Sequence, residues 1–204
     1  KGSFDNSLIN MVLGNSTLNI WNCTFKDTAV REDGSYMSIT SGSMNITNST
    51  FKDITTSGKY GTIYALSPNI TIDTSTFFHN NGLQEVRGGV IFIDYDPTYT
   101  VDAISLTVTN NVFQSNSADK GSVVYVENTN LRFSLHNNTF VDNYASNFSG
   151  AIQFYYVEFL TFDVFHNTIN ASEVEGRLYA KNFMLLDNTR GTGYINQSHI
   201  HLSG

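Results

Sequence analysis

The 204-residue chain holds one cysteine, two prolines and only 14% charged residues. The lone Cys23 rules out an internal disulfide, and a small side chain in a turn accounts for it. With so little proline, long stretches are free to pair as sheet. The formal charge is −7 and no Lys/Arg cluster occurs, which argues against nucleic-acid partners. No apolar run approaches the ~20 residues of a membrane-spanning helix, and no segment sustains a 3.6-residue period. Histidine spacing offers only His199-x-His201 as a metal pair, so no metal and no cofactor is expected.

What the chain has is repetition. One eight-residue phrase recurs: apolar, any, apolar, any, Asn or a stand-in, any, Thr or Val, then Phe or Ile. Its copies run Leu18 to Phe25, Met44 to Phe51, Ile70 to Phe77, Leu106 to Phe113, Phe133 to Phe140 and Phe162 to Ile169, with a looser Phe183 to Arg190. The closing residues Phe25, Phe51, Phe77, Phe113, Phe140 and Ile169 stand 26, 26, 36, 27 and 29 apart. A period near 26 with strand-like alternation indicates a stacked solenoid.

Each phrase opens on a half-buried strand, such as Met44-Asn45-Ile46. A second apolar strand precedes it (Ser35 to Ile39, Thr62 to Leu66, Val90 to Ile93, Ser122 to Val126, Ala151 to Phe154), and a third begins at the closing Phe. Gly, Asn and Ser fill the breaks, as turns require. Three strands per 26 residues make one winding of an all-β parallel β-helix: about seven coils, little or no helix, and 1–204 as a single domain. Equivalent residues then superpose roughly 4.8 Å apart, so the Phe25, Phe51, Phe77, Phe113, Phe140 and Ile169 file fills the interior. The corner position reads Asn22, Asn48, Thr74, Asn110, Asn137, His166, Asp187. Asn tolerates the left-handed backbone of a sharp bend, so these residues are expected to form an inward amide ladder, with exposed turn residues as the alternative.

Nine Asn-x-Ser/Thr acceptors occur, against about five expected by chance from this composition. Asn15, Asn45, Asn69, Asn147, Asn170 and Asn196 read as outward, in turns, in loops or on a solvent face, and as sites for N-glycans. Asn22, Asn48 and Asn137 stand at the corner; an inward ladder keeps them bare, and glycosylation there requires the corner to face solvent. N-glycans imply a secreted or cell-surface chain. No leader is legible between Lys1 and Leu8, and neither end carries a polar cap. Open strand edges need covering, which leaves three explanations: other chains cover them, copies stack head to tail, or the chain is a piece of something longer.

The phrases Phe113-x-x-Asn116-x-Ala118 before Gly121-Ser122-Val123-Val124, and Phe140-x-x-Asn143-x-Ala145 before Gly150-Ala151-Ile152, resemble repeats of bacterial polymorphic outer-membrane proteins, which pair F-x-x-N with G-G-A-I. Gly88-Gly89-Val90-Ile91 after Phe77-x-x-Asn80 is a third copy, and Gly61-Thr62-Ile63 a weaker one. The Val/Leu-x-Val-x-Asn-x-x-Phe corner is similar to that of pectin-lyase-like β-helices with asparagine ladders. The resemblance implies a right-handed coil and a secreted or surface location, commonly in adhesion. The chain departs from it at 122 and 151, where the second glycine is missing.

Polysaccharide lyases and hydrolases share that scaffold, so an enzyme is the alternative to a non-enzymatic role. Such chemistry needs clustered carboxylates with a nearby base. Asp27, Asp53 and Asp142 share a position, but His79 and Ser115 interrupt the file. The 36-residue winding must bulge, at Asn81 to Arg87 or at Asp94 to Asp102, where tyrosines and carboxylates with Arg87 could grip sugar rings or a cation. Alternation in Tyr155 to Leu160 places some of its aromatics outside, either as a contact for neighbouring chains or glycans or packed under a loop. The expectation is a secreted, N-glycosylated structural or adhesive protein, not an enzyme. Its partners are itself through head-to-tail stacking into a filament or surface layer, its covalent N-glycans, and surface carbohydrates. A carbohydrate-binding module or a fragment of a large surface adhesin are the alternatives.

Overall fold

The computed structural model describes the backbone of residues 7–30, 34–83, 85–98, 104–148, 151–155, 157–170, 174–180, 183–186, 189–190 and 200–202. Side chains are described within this set up to residue 146 and again at 151–155, 157 and 161–168. All regular structure among these residues is strand.

The strands stack into a parallel β-solenoid with three faces. The first face holds Ile9–Val12, Met37–Thr40, Ile63–Leu66, Ile91–Asp94, Val124–Glu127 and Ile152–Tyr155, each paired with the next in parallel. The second holds Thr17–Trp21, Ser43–Thr47, Asn69–Asp73, Ile104–Thr109, Asn130–His136 and Glu158–Phe165. The third begins with Thr24–Val30 and Thr50–Thr56. Later windings break it into two short strands, such as Val112–Gln114 followed by Ser117–Lys120.

The coil makes about five turns, fewer than the seven implied by counting phrases. Strands continue beyond Asn170, but Val174–Ala180 pairs with both Ile152–Tyr155 and Glu158–Phe165. There the first two faces run together instead of turning a corner between them.

The repeat register follows from side-chain parity. In Met44–Ile46, Ile70–Ile72 and Leu106–Val108 the apolar residues are fully buried and the residue between them faces out. A slip by one residue would reverse that assignment for the whole strand. Phe25, Phe51, Phe77, Phe113 and Phe140 superpose, with ring centroids 4.6, 5.0, 5.1 and 5.0 Å apart. The four rings from Phe51 to Phe140 are completely buried, each contributing about 1.5–3 kcal/mol of transfer free energy. Ile169 continues the file in backbone register with Phe140.

The amide ladder corrects the sequence reading by one residue. Asn22, Asn48, Thr74, Asn110, Asn137 and His166 all adopt left-handed φ, between 47° and 56°. That conformation turns their side chains to solvent, and the following residue points inward. The inward file is therefore Cys23, Ser49, Ser75, Asn111, Asn138 and Asn167. Asn138 Oδ1 accepts the backbone N–H of Asn111 at 3.0 Å, while its Nδ2 donates to the carbonyl of Val108 at 2.8 Å. Asp187 lies outside the described residues.

A second inward file occupies the next corner. Asn80, Asn116 and Asn143 are buried, and their Nδ2 groups donate to the carbonyls of Phe51, Phe77 and Phe113 at 3.1, 3.0 and 2.9 Å. The residues before them, His79, Ser115 and Asp142, again have left-handed φ. Each amide thus satisfies backbone groups that the bend removes from the ladder.

The long winding is resolved by register. On the first face Leu66 pairs with Asp94, 28 residues on, whereas on the second Ile70 pairs with Leu106, 36 residues on. Eight extra residues therefore enter between Asp94 and Leu106, one between Gly82 and Arg87, and one between Arg87 and Ile91.

Candidate functional site

The acceptor asparagines whose side chains are described, Asn15, Asn22, Asn45, Asn48, Asn69 and Asn137, lie on the outside of the coil. Asn15 sits in an exposed turn. Asn45 is mid-strand, and its Nδ2 donates to Asn19 Oδ1 at 2.9 Å. Asn69 opens its strand instead of lying in the turn before it, and its Oδ1 accepts the backbone N–H and the hydroxyl of Ser105 at 3.0 and 2.9 Å. The corner residues Asn22, Asn48 and Asn137 are exposed. Asn48 Nδ2 donates to Asn22 Oδ1 at 3.2 Å, and Asn137 Nδ2 to Asn110 Oδ1 at 3.3 Å. Asn147 belongs to the strand Tyr144–Phe148, not to a loop, and Asn170 closes Thr168–Asn170. Asn196 lies outside the described residues.

This outward placement follows from the pleat. The buried asparagines Asn111 and Asn138 are followed two residues on by Phe113 and Phe140 of the core. Inward positions alternate with inward positions, so a hydroxyl at the second place cannot follow an inward Asn there. The corner residues escape this rule, because their second neighbours Thr24, Thr50 and Thr139 face out.

A charged cluster stands on the outer side of the first face. Register places Tyr64, Phe92 and Tyr125 in one outward row, and all three are buried. Glu127, two residues after Tyr125, has a side chain only 6% exposed. Arg87 Nη1 lies 2.8 and 3.2 Å from its two oxygens, Lys59 Nζ lies 4.0 Å away, and Tyr125 donates its hydroxyl at 3.3 Å. The Arg87 guanidinium also covers the Tyr125 ring at 5.6 Å, and Lys59 lies over Tyr60 and Phe92 at 5.5 and 5.6 Å. Burial pushes the phenols of Tyr64 and Tyr125 well above their ordinary range, and the nearby Glu127 carboxylate adds to the effect.

Arg87 was legible beside Gly88-Gly89, but Glu127 was not. It reads as the first residue of a polar turn, Glu127-Asn128-Thr129-Asn130, and only the register puts it over the aromatic row. Its charge is matched by two cations, so the cluster works as a clasp across three windings. In the inserted segment, Asp96 Oδ1 accepts both the N–H and the hydroxyl of Thr98 at 2.8 and 2.7 Å, which holds its carboxyl below the ordinary range. Residues 99–103 of that segment lie outside the described set, as does His199.

The carboxylate position of the third face is a real file, again at left-handed corners. Lys26 and Lys52 reach Asp27 and Asp53 at 3.3 and 3.9 Å, and His79 Nδ1 lies 2.9 Å from Asp53 Oδ1. His79 separates the carboxylates of Asp53 and Asp142 along the file. No group of three or more His, Cys, Asp or Glu suited to a metal ion occurs among the described residues.

Ile9, Met11, Leu13, Leu18, Cys23 and Phe25 pack against the core yet remain half-buried, whereas Met44 and Phe51, one winding on, are fully buried. Set against protein-family models, curated proteins and solved structures, the chain matches none of them.

Proposed function

We propose that this chain is an extracellular, N-glycosylated β-helix with a structural or adhesive role, joined end to end with further copies of itself. The observation that carries this reading is the repeating cross-section of the coil, in which parallel strands and the ring column of Phe25, Phe51, Phe77, Phe113 and Phe140 superpose winding on winding. A solenoid winding presented to that cross-section would continue both the sheet and the ring column. Glycans on the outward acceptors would cover the sides and leave the ends as the surfaces for association. The resemblance of the F-x-x-N and G-G-A-I phrases to polymorphic outer-membrane repeats, and of the corner to pectin-lyase-like coils, agrees with a surface role.

The test uses the full-length native protein. Electron micrographs and sedimentation should give rods joined in rows, and Leu18→Asp should shorten them. A single monomeric boundary at every concentration overturns the assembly. An intact mass that an N-glycosidase leaves unchanged overturns the glycosylation. A second reading, carbohydrate binding, draws on an exposed aromatic beside a groove on the third face.

A further inference from the structure

On the outer side of the third face, the short strands Asn81–Gly82, Ser117–Lys120 and Tyr144–Phe148 border a groove of about 530 Å³. Two local features accompany it. The connection from Gly82 to Arg87 holds one residue more than the winding before it, and Glu85 within it stands at φ 67°. The register between Ser117–Lys120 and Tyr144–Phe148 also shifts after Ala118. The volume falls in the range of small-ligand sites, roughly 300–1,000 Å³.

We propose that this groove binds a neutral oligosaccharide. The proposal deepens the carbohydrate reading given above and rests on it. A pyranose ring has an apolar face of C–H groups and a rim of hydroxyls. Tyr144 is 63% exposed and Leu83 53% exposed, so the groove offers one aromatic and one aliphatic surface for the apolar face. Around them stand the hydroxyls of Ser117 and Ser146 and the carboxylates of Glu85 and Asp119. Ser146 donates to Asp119 Oδ1 at 3.0 Å, and Ser117 donates to Asn81 Oδ1 at 2.9 Å. The serine protons are thus directed at protein acceptors, and the polar wall presents mainly oxygen lone pairs. A ring of sugar hydroxyls supplies the matching donors.

Charge selects within the sugars. Two carboxylates line the groove, and no cationic side chain does among the described residues. A uronate polymer would bring its own carboxylates against Glu85 and Asp119, so polygalacturonate is the wrong ligand and an uncharged hexose or N-acetylhexosamine chain the right one.

The experiment is titration of the full chain with uncharged gluco-, manno-, xylo- and chito-oligosaccharides and with polygalacturonate, followed by calorimetry. Trp21 is the control, because it is 70% exposed on a different face. Binding of at least one uncharged series, weakened about ten-fold or more by Tyr144→Ala and by Leu83→Asp but unchanged by Trp21→Ala, is the expected result. Tyr144 and Leu83 are exposed, and circular dichroism of each variant checks that it folds. Sugar binding that survives Tyr144→Ala overturns the groove while leaving the carbohydrate reading standing. Absence of binding to every saccharide overturns both. Tighter binding of polygalacturonate than of any neutral chain overturns the charge argument and with it the proposal.

Discussion

The first and second faces of the coil share their windings and their parallel pairing, yet they solve burial differently. Met37–Thr40, Ile63–Leu66 and Val124–Glu127 are buried at every residue, whereas Asn69–Asp73 and Ile104–Thr109 alternate. The inner rows are alike: Ile63 and Ala65 on one face, Ile70 and Ile72 on the other, all at or near zero exposure. The outer rows differ. The first face carries Tyr64, Phe92, Tyr125 and the Arg87–Glu127 clasp, and the second carries mainly Ser, Thr and Asn, with Trp21, Asp73, Arg132 and His136 among them. Backbone pairing and the inner row therefore make the solenoid, while the outer row decides what each face contacts.

Breaking the interior that both faces pack against should have the largest effect. Phe77→Ala removes a ring packed between Phe51 and Phe113 at 5.0 and 5.1 Å. The expected loss is about 3–5 kcal/mol, measured by urea unfolding. A loss below 1 kcal/mol would mean that the column is not a single packed core.

Next is the outer row alone. Glu127→Ala leaves Arg87 and Lys59 beside buried aromatics without their counter-charge. Because the Arg87 side chain is 30% exposed, the expected cost is about 2–3 kcal/mol, less than the 3–5 of a fully buried pair. Thr107→Ala on the second face should stay within about 0.5 kcal/mol. Equal effects in the same denaturation series would erase the distinction between the faces.

The same distinction should appear in alkali. Burial raises the folded-state pKa of Tyr64 and Tyr125, while the unfolded phenols titrate near 10. Above that pH the unfolded chain binds fewer protons than the folded one, so stability is full below about pH 10 and falls as pH rises further. Each phenol contributes a slope of at most about 1.4 kcal/mol per pH unit. Unfolding midpoints between pH 9 and 11.5 check this, and Tyr64→Phe should flatten the decline.

A small effect of opposite sign belongs to the corner that joins the second and third faces. Thr74 is β-branched yet held at φ 47°, a conformation unfavourable for such a residue. Thr74→Gly should stabilise by about 1 kcal/mol. A lower melting temperature in that variant would show that the threonine side chain supports the bend.

The repeat, the strands and the ring column were legible because period and parity act over many residues. The amide ladder was misplaced by one because a period fixes which residues are equivalent, not which of two neighbours at a bend turns inward. Asn137 and Asn138 are chemically identical in sequence, and only the left-handed φ of the first sends the second into the core. The second ladder lay in the F-x-x-N phrase at Asn80, Asn116 and Asn143, where the asparagine marked a likeness before it marked a bend. Glu127 had no signal of its own, since a single carboxylate after Val124-Tyr125-Val126 reads as the end of a strand. The groove beside Tyr144 depends on an irregular register between windings, which no repeat pattern encodes.

The eight extra residues between Asp94 and Leu106 change nothing downstream: Leu106 pairs with Phe133 and Phe113 with Phe140, each 27 residues on. The rings of Phe77 and Phe113, on either side of the excess, still lie 5.1 Å apart. That corner is a socket where the chain can be lengthened without loosening the rod. A loop grafted there would inherit a rigid mount, and replacing Tyr95 to Ala103 with foreign sequence is the natural way to give this scaffold a new specificity.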